Sequence, residues 1–214
     1  MGMMDELKSL DEAFGVEPES QDGHIRVKKT LTPHEKRRII SESALEKELP
    51  WHFESGVAYH CISWGDVDAL TYLRVIVKQQ KLKYALISTW CMAKTDIEEI
   101  FRWIDAGYIG RVDFFVGEIF KGSYAAEYEL LTRGNKERGG KVVVFRNHSK
   151  IILAFGERFD AAIELSANVN TNPRTEQACI TVDSDLAEWY KDIFDGIMPF
   201  NRDYKQPGTY TLRR

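Results

Sequence analysis

Residues 147–180 have the sequence NHSKIILAFGERFDAAIELSANVNTNPRTEQACI, in which three short apolar runs are separated by polar segments. Apolar runs of this length with few residues between them are typical of neighbouring β-strands joined by hairpins. The first run follows His148-x-Lys150, and the second leads into Ser166-x-Asn168. Side chains two positions apart on an extended chain point to the same face, so each pair presents two polar groups together at a strand tip.

The two polar pairs together contain the groups that suit an anionic tetrahedral ligand. They supply an imidazole, an ammonium, a hydroxyl and an amide, and at neighbouring strand tips these could converge on one phosphate group. Glu176 stands just before the third apolar run. Its carboxylate could bond one imidazole nitrogen of His148 and so set the tautomer, as carboxylates behind reactive histidines do.

The sequence before this stretch predicts an α/β domain. From residue 58 onward, short apolar runs alternate with amphipathic helices, which is the pattern of βαβ units and a parallel sheet. The predicted strands are 58–63, 83–89, 111–117 and 141–146, and the predicted helices are 66–80, 95–107, 124–132 and 185–197. The third helix is expected to end at the breaker-rich segment 133–140, RGNKERGG, and the strands after it are expected to be neighbours joined by hairpins.

We expect one catalytic domain with extensions, because a chain of 214 residues has room for one sizeable core. The expected divisions are a flexible N-terminal arm (1–30), an N-terminal helix (31–50), the catalytic domain (51–198) and a flexible C-terminal tail (199–214). The helix begins with a capping box, Thr32-Pro33-x-Glu35, and ends before Pro50. Its basic cluster at 36–38 is expected to be a solvated face, with a phosphate contact as the alternative.

The composition is that of a soluble globular protein, with 43% hydrophobic and 29% charged residues. The net charge of −4 gives no general attraction to nucleic acid, so any phosphate-binding surface must be a local patch. The N-terminal residues do not resemble a signal peptide, and no apolar run is long enough to span a bilayer, so we expect a cytoplasmic protein without stable membrane association. Cys61, Cys91 and Cys179 fall in or beside apolar runs, which indicates buried free thiols.

The carboxyl ends of the predicted strands give a place for the site, because ligands of open parallel sheets bind outside those ends. The segments that leave these ends are 63–64, 89–90, 117–118 and 147–148, and we expect them to gather along one edge. Trp64 and Trp90 could then stack on a base or ring of the substrate. The alternative is that both tryptophans cap the core, which is the usual fate of large aromatic side chains.

The stretch 147–180 resembles the signature of the phospholipase D superfamily. In that signature a His-x-Lys strand is followed by a turn, a second strand ending in Ser-x-Asn, and a loop that leads to a glutamate. His148, Lys150, Ser166, Asn168 and Glu176 match it in order. The resemblance implies a mixed β-sheet flanked by helices and assigns a catalytic role to these five residues.

The sequence departs from the family pattern at one position. The family's aspartate, five positions after the lysine, falls here on Phe155, and Asp160 lies nearby. Tyrosyl-DNA phosphodiesterases and a group of metal-independent restriction endonucleases within the superfamily also lack this aspartate. The departure therefore favours a resemblance to members that act on DNA over those that cleave lipids.

The resemblance implies a two-step displacement that needs neither a metal nor another cofactor. One histidine attacks phosphorus to give a phosphohistidine, and a second histidine protonates the leaving oxygen. The chain has one His-x-Lys set, and its other histidines, His24, His34, His52 and His60, stand in no comparable setting. We therefore expect a homodimer whose twofold axis brings two copies of His148 together.

Three functions are compatible with these patterns. The first is a metal-independent nuclease or related phosphodiesterase that acts on nucleic acid, with DNA favoured over RNA. The second is a nucleic-acid-binding module that kept the pocket without the catalysis, which the missing aspartate and the acidic net charge permit. The third, a lipid-headgroup phosphodiesterase or transferase, is disfavoured because no basic, aromatic amphipathic surface helix is found.

Overall fold

The computed structural model describes residues 33–170 and 174–197. The predicted arm, the capping residue Thr32 and the whole predicted tail lie outside these residues. The elements in chain order are α1 Pro33–Glu48, β1 Ala58–Ser63, α2 Ala69–Gln79, β2 Leu82–Thr89, α3 Lys94–Asp105, β3 Val112–Gly117, α4 Phe120–Ser123, α5 Ala125–Glu137, β4 Val142–Phe145, β5 Ile151–Gly156, β6 Asp160–Leu165, β7 Glu176–Thr181 and α6 Ser184–Asp195.

Seven strands form one mixed sheet in the order β1-β7-β6-β5-β2-β3-β4. β2, β3 and β4 are parallel, whereas every other neighbouring pair is antiparallel. This arrangement confirms the predicted α/β class with βαβ units followed by hairpin-connected strands. Because of these strand directions, one edge of the sheet contains the carboxyl ends of β1, β2, β3, β4 and β6. The amino ends of β5 and β7 lie at the same edge. We call this edge the rim; its loops are 64–68, 90–93, 118–119, 146–150 and 166–170.

Two predicted strand neighbours are not neighbours in the sheet. β1 pairs with β7 and lies at the edge, so the first strand-helix-strand unit is not a parallel pair. β4 and β5 are separated by β3 and β2, so 146–150 is not a hairpin but crosses the carboxyl ends of two strands. Exposure explains the placement of β1, because alternate residues of β1 are exposed whereas β2 is almost wholly buried.

The helix α5 is longer than predicted, since it continues through Gly134 and Asn135 to Glu137. Gly134 is required by packing, because a Cβ there would come within 2.3 Å of the Phe101 ring. The Asn135 amide donates to the carbonyl oxygen of Val112 at 3.0 Å, which ties the helix to β3. A breaker-rich segment is therefore helical here because its small and polar residues make tertiary contacts.

The sheet separates a large core from a smaller one on its opposite face. Phe155 belongs to the smaller core, where it is 9% exposed and packs on Tyr84 with ring centroids 5.6 Å apart. Asp160 accepts a hydrogen bond from the backbone nitrogen of Gly156 at 3.0 Å. Both residues lie at the end of β5 remote from the rim, about 16 Å along the strand from Lys150 at 3.3 Å per residue. Position 155, where the family has its aspartate, is therefore far from the polar groups of the rim, and Asp160 lies opposite it on β6.

Two expectations about surface and burial need correction. Arg38 is 6% exposed and forms an ion pair with Asp96, so the basic cluster at 36–38 is not simply a solvated face. Cys91 is buried as expected, but Cys61 and Cys179 are only half-buried; all three are free thiols. None of the helices that the structure describes is both long and apolar enough to cross a membrane.

Replacing Phe155 with aspartate should destabilise the fold, because the carboxylate would be buried without a partner. We expect Phe155→Asp to lower the free energy of unfolding by about 3–5 kcal/mol. The matched variant Phe155→Leu should cost only about 1–2 kcal/mol. Urea unfolding followed by circular dichroism measures both. A Phe155→Asp protein as stable as the leucine variant would contradict this placement.

Candidate active site

The structure brings the five predicted residues together at the rim. His148 and Lys150 precede β5, Ser166 and Asn168 follow β6, and Glu176 begins β7. These three strands are adjacent in the sheet. The polar pairs that are far apart in the sequence therefore occupy neighbouring strand ends, as the hairpin pattern predicted.

His148 and Lys150 contact each other directly. The Lys150 ammonium nitrogen lies 3.1 Å from Nδ1 of His148 and donates to the His148 carbonyl oxygen at 2.6 Å. The His148 ring is exposed to solvent, whereas Lys150 is half-buried. Burial lowers the pKa of Lys150 below its ordinary value, while nearby Cys91 and Glu176 act in the opposite direction. The site therefore holds a positive charge close to an accessible imidazole.

Glu176 is bonded to Ser166, whose hydroxyl donates to the Glu176 carboxylate. The same hydroxyl accepts from the backbone nitrogen of Gln177 at 2.9 Å, so its orientation is fixed by β7. Nδ1 of His148 thus contacts Lys150, and the Glu176 carboxylate accepts from Ser166. The proposed direct bond between Glu176 and the imidazole stays a prediction.

Asn168 connects the end of β6 to the loop after β2. Its side-chain oxygen Oδ1 accepts from the Trp90 backbone nitrogen at 3.2 Å and from the Thr89 hydroxyl at 3.4 Å. Its amide nitrogen makes no hydrogen bond to any residue that the structure describes. Because the oxygen is engaged, this NH₂ group is the part of Asn168 that can donate to an anionic ligand.

Asn147 is a buried residue beneath the site that the sequence patterns did not single out. It is 4% exposed, and its amide donates to the Ser88 hydroxyl and to the Phe115 carbonyl, both at 2.9 Å. Its oxygen accepts from the backbone nitrogen of Ser149 at 2.9 Å and from the Ser149 hydroxyl at 2.7 Å. These bonds fix the crossing segment over the ends of β2 and β3, and with it the backbone of His148.

One sequence signal could have identified this network. Ser88 and Thr89 are polar residues at the carboxyl end of an otherwise apolar strand, and both are 0% exposed. A buried polar side chain needs hydrogen-bond partners. The polar end of β2 therefore indicates that another polar segment must cross it.

The two candidate tryptophans differ in their surroundings. The Trp90 ring lies beside the His148 ring, with centroids 5.7 Å apart and planes inclined by 56°. It packs on Gly117, where a Cβ would come within 2.4 Å of the indole. Trp64 is 78% exposed on the loop after β1, so the core-capping interpretation is wrong for this residue. Both indoles are at the rim, and Trp64 is open to a ligand.

Cys91 lies close to the site but is not a strong nucleophile. Burial raises the pKa of its thiol, although the charge of Lys150 and a hydrogen bond with Tyr124 act to lower it. A thiol with a raised pKa is largely protonated at neutral pH, and the thiolate is the reactive form. Within 33–170 and 174–197, no group of three or more His, Cys, Asp or Glu side chains is arranged to hold a metal ion.

No protein-family model and no curated protein matches the chain. Among solved structures, polyphosphate kinase from Porphyromonas gingivalis matches with 17% identity and a TM-score of 0.43, covering 74% of this chain and 24% of that one. Phosphatidylserine synthase from Haemophilus influenzae Rd KW20 matches with 13% identity and a TM-score of 0.43, covering 63% and 36%. NucT from Helicobacter pylori matches with 14% identity and a TM-score of 0.44, covering 67% and 100%.

All three matches are remote, with identities below 20% and TM-scores below 0.5. This chain spans about a quarter and about a third of the first two structures and the whole length of the third. The likeness is remote and concerns the fold, so the chemistry of the site has to come from the residues of this chain.

Removing the Asn147 amide should destabilise the rim. We expect Asn147→Ala to lower the free energy of unfolding by about 2–4 kcal/mol, because it leaves several buried polar groups without partners. The matched variant Asn170→Ala, at the same rim, removes only a contact of 3.8 Å to the Cys91 sulfur and should have little effect. Urea unfolding of both variants tests this, and equal stabilities would rule out a structural role for Asn147.

Proposed function

We propose that the protein is a metal-independent phosphodiesterase that cleaves nucleic acid, DNA in preference to RNA, through a phosphohistidine intermediate. The observation that carries the proposal is the convergence of His148, Lys150, Ser166, Asn168 and Glu176 at one rim. Phosphodiester cleavage needs a nucleophile, donors for the non-bridging oxygens and an acid for the leaving oxygen. The first two requirements are met by groups of a single chain.

His148 is the proposed nucleophile. Its Nε2 attacks phosphorus, an N–P bond forms, and the P–O bond to one side of the diester breaks. A second, protonated imidazole gives its proton to the leaving oxygen. In the next step water attacks phosphorus, the same imidazole takes a proton from that water, and cleavage of the N–P bond regenerates His148.

Lys150 has two successive partners in this proposal. As an ammonium it donates to Nδ1 of His148, so that the imidazole proton is on Nε2 and the ring cannot attack. A bound phosphate attracts the ammonium to a non-bridging oxygen, which frees Nδ1 to carry the proton and Nε2 to act as nucleophile. The Asn168 amide donates to another non-bridging oxygen. Glu176 is the carboxylate available to stabilise the protonated Nδ1.

Nucleic acid is the proposed substrate because of the aromatic groups that flank the phosphate-binding residues. Trp64 and Trp90 lie at the rim on either side of the strands that carry Ser166 and Lys150, where nucleobases could stack. The resemblance to superfamily members that lack the motif aspartate favours DNA, since Phe155 occupies that position.

A homodimer is proposed because the chemistry needs two imidazoles. Among the histidines whose side chains the structure describes, His148 is the only one at the rim; His52 lies before β1 and His60 within it. An isologous dimer with its axis at the rim supplies a second copy of His148 and doubles the charge of Lys150. The added charge offsets the net charge of −4 where phosphate binds.

A binding module without catalysis is the alternative function. The phenylalanine at the position of the family's aspartate and the net charge of −4 permit it. Such a module would bind nucleic acid at the rim without turnover, so a cleavage assay distinguishes it from the proposed enzyme.

Cleavage should survive chelation and require His148. Purified protein is incubated with single- and double-stranded DNA, RNA and bis(4-nitrophenyl) phosphate, with and without excess EDTA. We expect DNA cleavage in EDTA, and a loss of about 10²–10⁴-fold or more in His148→Ala because the attacking imidazole is removed. The control His60→Ala, which changes an exposed histidine of β1, should keep full activity. Strict dependence on added magnesium or manganese would overturn the mechanism.

Mixing of variants tests the shared site. Wild-type protein is unfolded and refolded with a large excess of His148→Ala, so that nearly all wild-type chains enter heterodimers with one intact histidine. Activity per wild-type chain should then fall steeply, because attacking and proton-donating imidazoles no longer meet. The same excess of His60→Ala should add its own activity. Unchanged activity per wild-type chain, or a fully active monomer in sedimentation experiments, would contradict the dimer.

A further inference from the structure

The helix α1 is attached to the domain mainly through polar contacts. Arg38 and Glu42 are each 6% exposed, and Ser41 is fully buried, whereas Leu45 is the one buried apolar side chain of α1 among the residues whose exposure is described. Arg38 pairs with Asp96 in the first turn of α3. A helix that buries charges in this way needs its specific partners, since an unpaired buried charge is costly.

The partners of α1 include the rim loop 64–68. Arg37 donates to the carbonyl oxygen of Gly65 at 2.7 Å and lies 3.3 Å from the Asp68 carboxylate. Ser41 accepts from the backbone nitrogen of Asp68 at 3.0 Å. Asp68 is 3% exposed and makes no capping bond with its own helix, so Arg37 provides its counter-charge. This loop also carries Trp64, whose side chain is exposed.

The equivalent loop after β2 is held differently. Trp90 donates its backbone N–H to Asn168, and Ala93 donates to the carbonyl oxygen of Val169 at 3.1 Å. These contacts are made within the rim itself. The loop that carries Trp90 is therefore held by the segment after β6. The loop that carries Trp64 is held instead by α1, a helix outside the sheet.

We propose that Arg37 and Ser41 of α1 are positioning residues that hold the loop 64–68 and so place Trp64 for substrate. The loop turns at Gly65, whose φ of +88° is accessible to glycine at little cost. Its contacts with α1 fix the carbonyl of Gly65 and the amide of Asp68, on both sides of the turn. The effect on substrate rests on the proposed function; the attachment of the loop to α1 does not.

The first test measures the loop without using activity. Hydrogen–deuterium exchange of the 64–68 amides is followed in wild type, Arg37→Ala and Ser41→Ala. The matched control is Lys191→Met, which breaks the ion pair with Asp195 at 2.7 Å within α6. We expect exchange at least tenfold faster in the first two variants and unchanged in the control. Equal exchange in all four proteins would overturn the proposal.

The second test uses the cleavage of a DNA oligonucleotide. Arg37→Ala should raise KM about tenfold with kcat nearly unchanged, as expected for the loss of a stacking contact away from the reacting atoms. Arg37→Lys should recover part of the effect. In a Trp64→Ala background, Arg37→Ala should have no further effect on KM, and an additive loss there would overturn the link to Trp64. If wild type cleaves no phosphodiester, the proposed function fails while the exchange experiment still decides the role of α1.

Discussion

The buried amide of Asn147 is the interaction on which the arrangement of the rim depends. β4 and β5 are separated by two strands, so the chain must cross their ends before it can form the β5–β6–β7 hairpins. Asn147 satisfies polar groups of β2 and β3 during this crossing and at the same time orients the next residues. His148 can be exposed and still be held in place, because the residues on either side of it are hydrogen-bonded. Asn147 donates to β2 and β3, and Ser149 donates to Asn147. Preorganisation of this kind is what a reactive group at a protein surface requires.

Local patterns predicted the parts of the fold that depend on local physics. The i, i+2 polar pairs and the closely spaced apolar runs placed four site residues on adjacent strand ends, because side-chain alternation and hairpin pairing act over a few residues. The order of the strands was not accessible in the same way. That β1 pairs with β7 rather than with β2 follows from contacts between residues more than a hundred positions apart. The path of 146–150 is likewise decided by the buried polar end of β2.

Patterns of charged residues and of helix breakers were misleading where the residue has a partner in another element of the fold. Arg38 appears in the sequence as part of an exposed basic cluster, yet its partner Asp96 lies in a helix 58 positions further on. Gly134 and Asn135 appear as helix breakers, yet their neighbours Phe101 and Val112 make them suitable inside α5. In each case a tertiary partner overrides the intrinsic preference of the residue.

The five matched residues come from one continuous stretch of chain, 148–176, and this has a consequence for how the protein folds. Antiparallel hairpins close short loops and form quickly, whereas parallel strands require the closure of a whole helical crossover. The β5–β6–β7 unit can therefore bring Lys150, Ser166 and Glu176 together early. Until β2 and β3 have assembled, however, the Asn147 amide nitrogen lacks its partners Ser88 and Phe115, and the segment with His148 is not anchored. Completion of the imidazole site is thus expected to be a late event in folding, in which the slow parallel half of the sheet sets the pace.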